Sequence, residues 1–184
     1  MINDNCWVQT FSGKAIHPMD PQPEEIDIED IAHALGMMCR FNGHCRYFYS
    51  VAQHCVLGVD AIRLAEGDLQ LQKEFLLHDA SEAYLCDITR PVKNHLPGYK
   101  ELEHVVQRAI NRKFDTWCGA HPDLHYWDSV LLHTEKRDLM EEGPAPWLDI
   151  PENMPDLPKI VSWEPHVAKR NFLRLFDELF PGQR

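Results

Sequence analysis

An all-α fold, a helical bundle of six to seven helices behind a short extended N-terminal segment, is what these 184 residues predict. Two observations carry that expectation. From Asp27 onward, apolar residues recur at three- and four-residue steps in segment after segment, the period of a helix with one buried face. Strand-like patterning is almost confined to the first twenty-five residues. The length fits a single domain, 1–184, with a sizeable core.

The chain opens with WVQTF, Ser12-Gly13 and KAI, an extended or hairpin-like start. Pro18, Pro21 and Pro23 then exclude a helix from the next loop. A first helix is marked by Ile28, Ile31, Ala32, Leu35 and Met38. A turn at Phe41-Asn42-Gly43 leads to a second helix carrying Tyr47, Val51, His54, Val56, Leu57 and Ile62. Asp68 can cap a third, expected over 69–85. Pro91 and Pro97 make 87–97 irregular. Helices are expected at 98–117, at 126–142 and at 164–180, the last with Val167, Leu173, Phe176 and Phe180 on its core face. Residues 143–165 hold six of the thirteen prolines and are expected to form a long surface loop or lid.

No apolar run approaches the roughly 18 residues of a membrane span, and MINDNCWVQTFSGK lacks the basic start and apolar stretch of a secretory leader. The expected location is cytoplasmic, with no membrane partner. Six cysteines at 6, 39, 45, 55, 86 and 118 form no CxxC pair, which points to reduced, mostly buried thiols. A formal charge of −11 argues against a nucleic-acid polymer as partner. It leaves room for a small anion, because a metal and a few local cations can reverse the field inside one pocket.

The segment that carries chemistry is LLHDASEAYLCDITRPVK, residues 76–93. An adjacent His78-Asp79 pair in an apolar helix is unusual, since carboxylates are seldom buried unless paired or metal-bound. Imidazole and carboxylate together suit divalent Mn, Co, Zn or Fe. Neighbours on a helix lie about 100° apart, so both reach one ion only at the helix edge, and further ligands must come from other helices. Glu82, four residues on, returns to nearly the same face. A lone His-Asp dipeptide also arises by chance, and His78 could simply hydrogen-bond within a core. His54 in YSVAQHCVL and Asp138 in TEKRDLM strengthen the metal reading, being polar residues in apolar helical surroundings.

The order His54, His78-Asp79, Asp138 resembles the signature of HD-domain phosphohydrolases. HDASEAYLCDITRPVK is similar at matching spacing to the YfbR-like 5′-deoxynucleotidase branch, and QTFSGK and CRFNGHCRYFYSVAQH resemble its prophage-encoded members. The resemblance covers most of 7–142. It implies one divalent transition metal ion (Co, Mn, Zn or Fe, with Mg also possible) held by His54, His78, Asp79 and Asp138. It implies Glu82 and Asp87 as acid/base groups, and Arg40 and Lys93 as holders of phosphate oxygens. Phe41 stands where some members carry a tryptophan against the sugar, and Trp7 could fill that place. The implied activity releases phosphate from deoxynucleoside monophosphates, and the implied assembly is a homo-oligomer. The same quartet also serves release of triphosphate from deoxynucleoside triphosphates. A non-catalytic nucleotide-binding scaffold and a structural metal site are readings of another class. His33, His44, His121, His125 and His133, with Lys136, Arg137 and the aromatics Tyr47, Phe48 and Tyr49, carry weaker signals; core, turn or surface roles account for them.

Overall fold

The computed structural model describes residues 6–116, 121–148 and 150–184. Trp117, the expected end of one helix, and Cys118 lie outside these. Strands β1 (Val8–Gln9) and β2 (Ala15–Ile16) pair antiparallel, as the opening pattern predicts. Everything that follows is helix and loop: α1 (Ile28–Met37), α2 (Val51–Leu64), α3 (Leu69–Leu77), α4 (Glu82–Leu85), α5 (Arg90–Lys93), α6 (Tyr99–Lys113), α7 (Leu124–Leu139) and α8 (Pro165–Leu179). The fold is all-α.

Side-chain caps set the helix starts. Asp27 accepts from the Glu29 N–H at 2.9 Å, Ser50 from Gln53 at 3.1 Å and Asp68 from Leu71 at 2.8 Å. Each satisfies one of the donors that a helix start leaves unpaired. Helix α2 packs against α1, α3, α7 and α8, and its buried face accordingly runs almost all the way round, from Val51 to Ile62. Helix α8 buries Phe172, Leu173 and Phe176 on this centre, joined by Phe180 just past its end.

Two elements depart from the sequence expectation. The helix expected over 69–85 ends at Leu77. The His78 ring Nδ1 hydrogen-bonds the Phe75 carbonyl at 2.7 Å, and the chain tightens into i→i+3 turns: Ala80 N–H to Leu77 O at 3.1 Å, Glu82 to Asp79 at 3.0 Å. Segment 87–97 contains the one-turn helix α5, because Pro91 lies in its first turn, where a missing N–H costs nothing. Tyr47 precedes α2 and is exposed. Residues 143–148 and 150–164 form no helix or strand, yet they are tied down: Gln53 donates to Val161 O at 2.8 Å and accepts from the Trp163 N–H at 2.9 Å.

Gly58 lets α2 and α3 approach closely, for a Cβ there would overlap the Phe75 ring. Phe75 in turn lies against His54 and His78, with ring centroids 5.6 and 4.6 Å away. Gly58→Ala is therefore expected to cost about 1–3 kcal/mol through overpacking. The check is thermal unfolding, where Tm should fall by about 2–4 °C per kcal/mol.

Candidate metal centre

Three ligand side chains converge where α2, the end of α3 and the following turn meet. His54 Nε2 stands 3.4 Å from His78 Nε2 and 3.8 Å from Asp79 Oδ2, and His78 Nε2 stands 3.3 Å from Asp79 Oδ1. Asp128, on α7, brings Oδ1 to 3.5 Å from His54 Nε2. Atoms about 2.0–2.2 Å from one ion stand about 2.8–3.6 Å from each other, according to geometry. All but the longest of these separations fall in that window.

The donor set fits a cation for a second reason. His54 Nδ1 faces Glu135 Oε1 at 2.7 Å, and His78 Nδ1 faces the Phe75 carbonyl at 2.7 Å. An acceptor at each Nδ1 holds the ring proton there, so both Nε2 atoms turn lone pairs toward one another. Two facing lone pairs beside a carboxylate repel unless a positive charge lies between them. His54, His78 and Asp79 thus form a group that could hold a metal ion.

A buried polar network holds this group in place. Glu135, fully buried on α7, accepts from the Tyr49 hydroxyl at 2.8 Å as well as from His54, and lies 3.2 Å from Arg40 Nη2. Burial alone would raise its carboxyl, but Arg40 and His54 outweigh that and hold it below the usual range. Arg40 also pairs with Asp79 at 3.5 Å. Burial works against its charge, and Glu135 and Asp79 restore it. Asp79 follows the same logic: burial raises it, His78, His54 and Arg40 lower it, and the net shift is down.

Glu82 and Asp87 are shifted the other way. Burial pushes Glu82 up to about 10, with Asp79 and Asp87 adding to the rise. Asp87 rises through burial too, partly offset by Arg40. Glu82 Oε2 is buried without a hydrogen-bond partner among the described residues. Lys93 lies between Glu103, at 2.6 Å, and Glu82, at 3.7 Å.

Among known proteins, the uncharacterized protein YfdR of Escherichia coli is 34% identical over 175 residues, a span of 94% of this chain and 95% of YfdR. The chain belongs to the YfdR family. An uncharacterized protein of Rhodobacter capsulatus is 37% identical over 114 residues, 59% of this chain and 58% of its own length. No family model matches the chain.

In this YfdR-family chain Asp138, expected as the fourth ligand, is not brought to the group. Its oxygens accept from Arg137 Nε at 2.8 Å, Arg137 Nη2 at 2.9 Å and the Ile160 N–H at 2.8 Å. It fastens Ile160 to α7. Asp128 takes the position beside His54, which sequence reasoning missed, as it missed Glu135. Their spacing held the signal, since residues seven apart return to within about 20° of the same helix face. Arg90 was also missed; its Nη2 lies 3.5 Å from Asp128 Oδ2 and its side chain is 55% exposed. The tryptophan beside Phe41 is Trp147, with ring centroids 6.1 Å apart, whereas Trp7 is 48% exposed near the N-terminus.

Glu82 makes stability depend on pH. Its carboxyl titrates near 4.5 when unfolded and near 10 when folded, so folding takes up a proton between those values. That contribution is full below pH 4.5 and is lost as pH rises toward 10. Glu82→Gln removes the titration. In chelator-treated protein, the Tm of the variant is expected to gain on wild type between about pH 5.5 and about pH 8.5. Parallel Tm curves would contradict the assignment.

Proposed function

We propose that the chain is a metal-dependent phosphohydrolase that releases phosphate from deoxynucleoside monophosphates. The observation that carries the reading is the convergence of His54 Nε2, His78 Nε2 and an Asp79 carboxylate oxygen, with both ring tautomers fixed from behind. The His-Asp pair within HDASEAYLCDITRPVK, which resembles the HD-domain nucleotidases, supports it. Asp128 is the fourth ligand in this reading. A divalent ion held by these four residues would polarise a phosphoryl oxygen and lower the pKa of water.

The chain's own residues supply the rest. Arg90, half exposed at the rim of the group, receives a phosphate oxygen in exchange for its long contact with Asp128. Arg40 Nε, buried without a hydrogen-bond partner among the described residues, is a second donor, on the guanidinium that pairs with Asp79. Glu82, kept protonated by burial, gives a proton to the departing sugar oxygen, and Asp87 orients water beside it. Lys93, held by Glu103, steadies Glu82 rather than gripping phosphate. Phe41 and Trp147 form an apolar wall for sugar and base. One exposed guanidinium beside the group suits a single phosphate better than a triphosphate tail, which needs several cations.

Product analysis tests this reading. Purified protein supplied in turn with Mn, Co, Zn or Mg is incubated with deoxynucleoside monophosphates and, separately, triphosphates. Nucleoside and inorganic phosphate from the monophosphates is the expected result. Nucleoside plus triphosphate would move the activity to the triphosphohydrolases. Absence of turnover by metal-loaded protein would leave a nucleotide-binding scaffold.

A further inference from the structure

Arg40 sits on a turn that two thiols bracket. Cys39 precedes it and Cys45 follows it, and their sulfurs stand 3.6 Å apart. Between them Phe41, Asn42 and Gly43 have φ of 55°, 51° and 77°, three successive residues in the left-handed region, which glycine and asparagine tolerate and phenylalanine does not. The turn is fixed at its base: Arg40 N–H donates to Tyr49 O at 2.9 Å, Val51 N–H to Met38 O at 3.1 Å, and Cys39 bridges Ser50. Cys45 packs with Tyr49, Leu139 and Ile160. Both thiols are partly exposed, so a small reagent can reach them.

We propose that Cys39 and Cys45 are a reversible thiol/disulfide site, oxidised by a small-molecule disulfide to a cross-link that closes the Arg40–Gly43 turn. A bonded pair is about 2.0 Å apart, so each sulfur moves only about 0.8 Å. The Cys45 S–H points toward the Arg40 carbonyl at 3.9 Å, and burial with the Cys39 contact holds its pKa up at about 11. Cys45 is held by its packing against Tyr49, Leu139 and Ile160 and by its contact with the Arg40 carbonyl, so Cys39 is the thiol that attacks first. Its thiolate displaces one half of the small disulfide as a thiolate and forms a mixed disulfide. Cys45 gives up its proton and attacks the Cys39 sulfur, expelling the other half. In sum, two protein thiols lose two hydrogens, and one small disulfide is reduced to two thiols. Proximity favours the second attack over any intermolecular competitor. The bond pins the turn from which Arg40 reaches Asp79 and Glu135. The site stands whether or not the proposed hydrolysis does.

The test equilibrates the full chain with glutathione buffers of increasing oxidised fraction, followed by acid quench, alkylation and peptide mapping. The expected product is a Cys39–Cys45 disulfide, two hydrogens lighter than the dithiol, forming before the exposed Cys6 and Cys86 are modified. Cys45→Ser should leave Cys39 as a glutathione adduct instead. Cys39 and Cys45 alkylated in full, while Cys6 and Cys86 carry glutathione, would overturn the proposal. So would a wild-type mixed disulfide at Cys39 that never resolves onto Cys45.

Discussion

Glu135→Ala is expected to lower stability by about 3–5 kcal/mol, the cost of removing one partner from a buried ion pair, and to remove most of the metal affinity. The carboxylate serves Tyr49, His54 and Arg40 at once, and none of the three can turn to water, because Tyr49 and His54 are fully buried and Arg40 nearly so. Its loss leaves a buried guanidinium with its long contact to Asp79 and the more distant charges of Asp128 and Asp87, and frees the His54 ring to rotate or exchange tautomers. Glu135→Gln separates the two effects. An amide oxygen still accepts from Tyr49 or His54, so the fold is kept. The missing charge loosens His54, and metal affinity is expected to fall about 10–100-fold, as for other outer-shell partners. Thermal unfolding of chelator-treated protein reads the first effect and equilibrium dialysis against Zn the second. Wild-type affinity in Glu135→Gln would show that the His54 contact does not prepare the ring for a metal.

The second large effect separates two aspartates on one helix. Asp128→Ala is expected to weaken metal binding by more than the loss of an outer-shell partner does, that is, beyond about 100-fold. Asp138→Ala is expected to leave it unchanged. Asp138 lies about 60–80° around α7 from the face shared by Asp128 and Glu135. It spends both oxygens on Arg137 and the Ile160 N–H. Its removal should cost about 1–3 kcal/mol, as for a hydrogen bond to a charged group. The paired dialysis is decisive in either direction: metal loss in Asp138→Ala with retention in Asp128→Ala would reverse the assignment.

The bundle was legible because helical periodicity and caps agree. Asp27 and Asp68 sit one residue before runs of apolar residues at helical spacing; Asp68 caps as expected, and Asp27, where the helical period begins, proves to be a cap too. The break after Leu77 was not legible. Apolar periodicity runs on past it, and the break coincides with a ring nitrogen of His78 bonding the Phe75 carbonyl three residues back, a choice of ring rotamer that the apolar period does not record. Helix α5 was hidden by the same proline that starts it.

For the site, His54, His78 and Asp79 stood out as polar residues in apolar helices. The fourth position failed because two aspartates ten residues apart share α7 and an ordered motif does not say which faces inward. The pairing of Asp128 with Glu135 along one face would have decided it. Trp147 could not be found, since a proline-rich segment has no period from which to infer what it touches.

Crystals grown with Mn or Zn and measured for anomalous scattering test the central claim most directly. The expected result is one strong peak per chain among His54 Nε2, His78 Nε2, Asp79 and Asp128, about 2.0–2.2 Å from its ligand atoms. A metal-soaked crystal with no peak there, or with its peak at Asp138, would contradict it.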